Sequence, residues 1–102
     1  MTMHHTKVTW KHHQNSDEPV QIYSELDDAR WEVRRVEIFL DGSLGYASRS
    51  GSRGRTFLSP ETFSSLAEIA ANPEFEPREI ARDEFEEIWS RATRSDRNPD
   101  GV

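Results

Sequence analysis

Three groups of residues have the side chains to do chemistry. Four histidines stand in two adjacent pairs, His4-His5 and His12-His13. Neighbouring strand residues point to opposite faces, so each pair offers one imidazole per face. With Asp17 or Glu18 as a further ligand, two such imidazoles would suit tetrahedral zinc. No H-E-x-x-H or comparable spacing accompanies them. The chain has no cysteine, which removes thiolate metal sites, disulfides and a Cys nucleophile. A solvated polar end is the simpler account of the histidines, with no metal and no cofactor expected.

The second group is a band of alternating charge, comprising Tyr23, Glu25, Arg30, Glu32, Arg34 or Arg35, Glu37 and Phe39. Carboxylates at this density could do acid–base work if a desolvated cleft shifted their pKa values. Arginines beside them keep such acids ionised, so cross-strand ion pairs are the plainer use, each contributing about 0.2–1 kcal/mol. The functional alternative is a recognition surface, with Tyr23 and Phe39 exposed among the charges, because aromatics and arginine dominate interface hot spots. The candidate binding residues on the sheet are therefore Tyr23, Glu25, Glu32, Arg34, Glu37 and Phe39.

The third group is the Ser48–Arg55 loop, where Arg49, Arg53 and Arg55 alternate with Gly51 and Gly54 in the manner of an anion-binding loop. It is no Walker motif, since neither the G-x-x-x-x-G-K-[ST] spacing nor a following helix is present. No serine sits in a G-x-S-x-G elbow. No catalytic residue can be named, and a non-enzyme is expected.

Charge is distributed unevenly. Residues 49–60 carry three arginines and no acid, whereas residues 61–93 carry three arginines against nine acids, in a chain whose net charge is -6. That balance argues against sequence-independent binding of nucleic acid, which needs a basic face. It suits a basic protein partner. Glu84 and Glu87 fall off the apolar stripe of a C-terminal helix and complete the candidate binding set. The competing account is an ordinary solvated acidic helix.

Positioning these groups requires a folded core, and the apolar residues are patterned enough for one. Leu, Ile, Val and Phe number five each, near the lower limit for a folded chain, but three tryptophans and the runs between Val20 and Trp89 favour folding. Thr6–Lys11 and Val20–Leu26 alternate with strand period. In the run Arg30–Leu40, Trp31 and Val33 share one parity while Val36, Ile38 and Leu40 share the other, which requires a β-bulge at Arg34-Arg35. Asp41-Gly42 is a hairpin turn, with Leu44 and Tyr46 on the return strand. Thr56–Leu58 and Arg78–Ala81 are candidate short strands. Ser65 with Glu68, and Asp83 with Glu86, have capping-box spacing, and Asn72-Pro73 ends the first of the two helices. Phe85, Ile88, Trp89 and Ala92 form the apolar stripe of the second.

The segments Tyr23-Ser24-Glu25-Leu26-Asp27, Arg30-x-Glu32-x-Arg34-x-Val36-Glu37-x-Phe39-x-Asp41-Gly42 and Glu68-Ile69-Ala70-Ala71-x-Pro73-x-Phe75, taken as a spaced set, resemble a family of roughly ninety-residue actinobacterial proteins known only as a domain of unknown function. The resemblance spans about residues 7 to 92. It implies a shared fold and brings no activity.

The expected architecture is α+β, an antiparallel sheet of four to five strands with two short C-terminal helices on one face. Residues 1–5 are expected as a flexible start, 6–93 as one domain and 94–102 as a disordered tail. The buried face should hold Val20, Ile22, Leu26, Trp31, Val33, Val36, Ile38, Leu40, Leu66, Ile69, Phe85, Ile88 and Trp89. No apolar run reaches the length of a membrane span, and the start lacks the layout of a secretory signal, so a cytoplasmic protein without a membrane partner is expected. The function expected is a small, acidic, non-catalytic protein-binding module, in its most concrete form an immunity-type inhibitor of a basic enzyme. The alternative is a ligand-binding protein or enzyme with a pocket between sheet and helices.

Overall fold

The structure is a computed structural model and describes residues 2–11, 18–54 and 56–97. Its elements in chain order are β1 (His4–Trp10), β2 (Pro19–Leu26), β3 (Glu32–Phe39), β4 (Leu44–Ser48), β5 (Gly51–Arg53), α1 (Leu66–Ala70), β6 (Phe75–Glu79) and α2 (Arg82–Arg97). The six strands form one antiparallel sheet in the order β5-β4-β3-β2-β1-β6. The α+β class is as expected, but the sheet is larger. β1 starts at His4 and lies inside the sheet, and β6 forms one edge. Residues 51–53, expected as loop, pair with β4 as β5, whereas Thr56–Leu58 is not a strand.

Register defines the two faces. The row Lys7–Tyr23–Val36–Tyr46 and the row His5–Glu25–Arg34–Ser48 point to one side. The row Thr6–Ser24–Arg35–Ala47 and the row Val8–Ile22–Glu37–Gly45 point to the other. α2 covers the first side, where Tyr23, Val36, Ile80, Phe85, Ile88 and Ala92 form the core with Ile38, Leu44, Tyr46 and Trp89 packed against it. α1 and the segment leading to it cover the second side, where Ile69 lines a groove with Val8, Ile22 and Arg35. The helices thus lie on opposite faces, not on one. Burying both faces accounts for the charged residues inside the sheet.

The bulge lies at Val33, one residue before the expected place. Glu25 pairs with Arg34 and Leu26 with Glu32, which leaves Val33 as the extra residue. A second register shift leaves Val20 extra between Pro19 and Gln21. Past the Val33 bulge, Trp31 is 45% exposed, and beyond the end of β3 Leu40 is equally so, which corrects both core assignments. The hairpin after β3 turns at Gly42 (φ 87°), with the Phe39 amide donating to Ser43 O.

α1 begins as expected. Ser65 Oγ accepts from the Glu68 amide, and the Glu68 carboxylate accepts from the Ser65 amide. α2 begins at Arg82, and the carbonyl of Ala81 before it accepts from the Glu84 and Phe85 amides. Glu86 therefore does not serve an Asp83 capping box; its carboxylate is drawn to Arg34 instead.

Candidate functional site

The adjacent arginines Arg34 and Arg35 divide the charged band between the two faces. On the α2 side, Arg34 Nε donates to Glu25 Oε1 at 2.6 Å and its Nη2 to Glu86 Oε2 at 2.7 Å. The guanidinium carbon lies 4.9 Å from the ring centres of both Phe85 and Trp89, a cation–π arrangement. His5 Nε2 meets Glu25 Oε2 at 3.0 Å, and its ring tilts against Phe85. Bonding to Arg34 and His5 holds the Glu25 carboxyl below its ordinary value against the opposing effect of burial. Arg34 lowers Glu86 in the same way, and the two acids raise Arg34.

On the α1 side, Arg35 Nε donates to Glu32 at 2.8 Å and its Nη1 to Glu37 at 3.1 Å. Glu32 and Arg35, three residues apart, share a face because of the Val33 bulge. Each acid also anchors the segment crossing the sheet toward α1. Glu32 accepts from the Ser24 hydroxyl and the Ser59 amide, and Glu37 accepts from the Thr56 hydroxyl. Arg30, at φ 68°, sends its Nε and Nη2 to the carbonyls of Phe63 and Ser64, while its own carbonyl accepts from the Phe63 amide.

Anchored in this way, the segment leaves an open groove of about 260 Å³ between α1 and the sheet, lined by Val8, Ile22, Arg35, Phe63, Glu68, Ile69, Asn72 and Phe75. A second depression of about 400 Å³ shares Arg35, Phe63 and Ile69 with it. Phe75 is backed by Trp10, with ring centres 5.3 Å apart, and the Trp10 indole donates to Glu74. Residues 61–75, which run along the groove as its rim, contain Glu61, Glu68 and Glu74 and no lysine or arginine, whereas Glu76, opposite Thr9, faces the α2 side and pairs with Lys11. The Glu68 carboxyl is held below its ordinary value, chiefly by the Ser65 amide and hydroxyl.

The residues named from sequence therefore separate. Glu25 and Arg34 meet Glu86 on the α2 side, and Glu32 and Glu37 meet Arg35 on the other. Tyr23 (7% exposed) and Phe39 (5%) are buried, so they do not form the exposed aromatic surface expected of them. Glu84 pairs with Arg78, and Glu87 is exposed. Arg49 reaches Asp27 at 3.6 Å, Arg53 lies exposed in β5, and Arg55 is outside the described residues. His4 pairs with Asp28, whereas His12, His13 and Asp17 are outside the described residues. Among the described residues no three metal-ligating side chains cluster.

Sequence reasoning missed the groove residues Phe63, Ile69 and Phe75 as a set, along with Thr56, and it named His5 only as a possible metal ligand and Arg35 only as the alternative to Arg34. The E-x-x-R-x-E spacing of Glu32, Arg35 and Glu37 was the available signal for the second network. Nothing local marks the groove, because residues from β1, β2, β3 and the stretch 63–75 build it.

The chain matches the family described as Domain of unknown function (DUF6881) over residues 4–94 and belongs to it. No curated protein and no solved structure matches the chain.

Proposed function

We propose that this member of the family is a non-catalytic protein-binding module for a basic partner, and that the groove between α1 and the sheet is its contact surface. The observation that carries the reading is the pairing of an apolar groove with a rim segment, residues 61–75, that bears three glutamates and no lysine or arginine. Interfaces concentrate their energy in an anchor that fills a desolvated pocket, and surrounding charge steers the approach. The charged groups inside the sheet support a non-catalytic role, since Glu25, Glu32 and Glu37 each accept hydrogen bonds from arginine and from a further side chain or amide. Inhibition of a basic enzyme is the concrete form of this reading. A cytoplasmic setting fits the absence of cysteine, and among the described residues no helix is long and apolar enough to cross a membrane. A small apolar ligand in the same groove is the second reading, favoured by the lining itself.

The test is capture from a lysate of the source cells on the immobilised domain. A stoichiometric basic protein should be retained, released by salt, lost with Ile69→Lys and kept with the double substitution Glu84→Lys, Glu87→Lys. Thermal melts confirm that each variant is folded. Loss of the partner in the α2 variant with retention in the groove variant would move the interface to α2. Capture of no protein, together with a stabilising small apolar molecule, would favour the second reading.

A further inference from the structure

We infer that the groove takes one lysine or arginine side chain, with its aliphatic stem against Val8, Ile69 and Phe75 and its cationic head at Glu68. Assigning that side chain to a protein partner rests on the reading above, whereas the preference of the groove for a long cation does not.

The lining sets the shape of the occupant. Lysine and arginine bury their methylene stems on apolar surface while keeping the charged head near water. The groove provides such a surface, with Glu68 among its lining residues. Glu68 Oε1 accepts both the amide and the hydroxyl of Ser65, at 3.0 Å each, and among the described residues no hydrogen bond engages Oε2. Those donors keep the carboxylate ionised without neutralising its charge. Arg30, whose charge also reaches Glu68, is occupied by the Phe63 and Ser64 carbonyls.

Arg35 does not reverse this polarity. Two carboxylates, Glu32 and Glu37, face its single guanidinium, so the cluster on the sheet side of the groove is not cationic overall. Phe63 and Phe75 add ring surfaces that attract cations and do not attract anions.

Three probes of equal chain length separate the possibilities: hexylamine, 1-hexanol and hexanoate, each titrated at neutral pH and low ionic strength into the full chain and followed by two-dimensional NMR. Hexylamine should give saturable shifts at the Val8, Ile69 and Phe75 amides and bind about three- to fivefold more tightly than 1-hexanol, as an exposed ion pair allows. Hexanoate should not saturate. Glu68→Gln keeps the capping-box spacing and should reduce hexylamine to the affinity of 1-hexanol. Equal binding of hexylamine and 1-hexanol to the unaltered protein would overturn the cationic head, and tighter binding of hexanoate would show that Arg35 reads an anion. Absence of saturable shifts with all three would remove the site. Binding of hexylamine as expected without capture of a basic protein would defeat the protein-binding reading and leave the groove assignment standing.

Discussion

Arg34 joins three parts of the molecule: Glu25 of β2, Glu86 of α2, and the rings of Phe85 and Trp89 between them. Removing one partner of a buried ion pair leaves the other charged and desolvated, so Arg34→Ala should destabilise by about 3–5 kcal/mol in urea melts. The same residue sets the acid limb of stability. Glu25 and Glu86 are held below the ordinary value near 4.5, first by bonding to Arg34. A carboxyl lowered in the folded state contributes stability that is complete above its unfolded pKa and is lost as pH falls through the folded value. Stability should therefore be level near neutrality and fall below about pH 4.5, by up to about 1.4 kcal/mol per pH unit for each proton taken up. Glu25 should contribute more than Glu86, whose side chain is 39% exposed and screened by solvent. An unchanged acid limb in Arg34→Ala would remove Arg34 from this role. On the opposite face, Gly45 lies across from Glu37, and a Cβ there would collide with the Thr56 hydroxyl. Thr56 cannot retreat without leaving Glu37. Gly45→Ala should cost about 1–3 kcal/mol by overpacking, as read from denaturant midpoints at unchanged slope.

At the level of elements, α2 is held by its apolar stripe as well as by Arg34. Trp89 packs edge-on against Tyr46 and stacks on Phe85. Because Trp89 is only half-buried, Trp89→Ala should fall at the low end of aromatic core deletions, about 3 kcal/mol. A change under about 1 kcal/mol in a urea melt would mean that the stripe does not hold the helix. The devices that were legible in the sequence are those whose partners lie within a few residues: the Ser65–Glu68 box, the turn at Gly42, the stripe from Phe85 to Ala92. The clash of parity along β3 likewise announced a bulge, though not at Val33. What could not be read depends on distant partners. Glu86 has capping-box spacing from Asp83, yet Arg34, fifty-two residues away, takes it. Whether Glu32 and Glu37 face water or the interior is decided by where residues 56–64 cross, and no periodicity encodes that crossing. For the same reason Tyr23 and Phe39 looked like a surface and are core, and Phe63, Ile69 and Phe75 gave no sign of sharing a groove.

Across the whole molecule the acids divide into those paired within the chain and those that, on the proposed reading, are left for a partner. The acids of α2 are partly satisfied within the chain, with Glu84 on Arg78 and Glu86 on Arg34, and Asp83 and Glu84 sit in the first turn, where the helix dipole favours negative charge. Glu87→Lys should therefore leave the melting temperature nearly unchanged, and a large shift would reveal a structural role for it. The rim glutamates Glu61, Glu68 and Glu74 form no ion pair among the described residues, so if the proposed basic partner exists its association should slow with added salt through them. The sheet order also bears on how the chain is made. β1 leaves the ribosome before the other strands of the sheet and can pair at once with β2, but its other edge waits for β6, where Thr6 meets Glu79 and Val8 meets Pro77. Loop closure over that distance is paid for before the contact rewards it, so this pairing should come late in folding. Until then the nascent chain exposes an unpaired strand edge, a template for pairing with other chains. β6 then closes that edge and, through Pro77, presents an outer edge with one hydrogen-bond donor fewer. Chains stalled or truncated before residue 75 should accordingly sediment as aggregates in a translation extract, while the product that includes β6 and α2 stays in the supernatant.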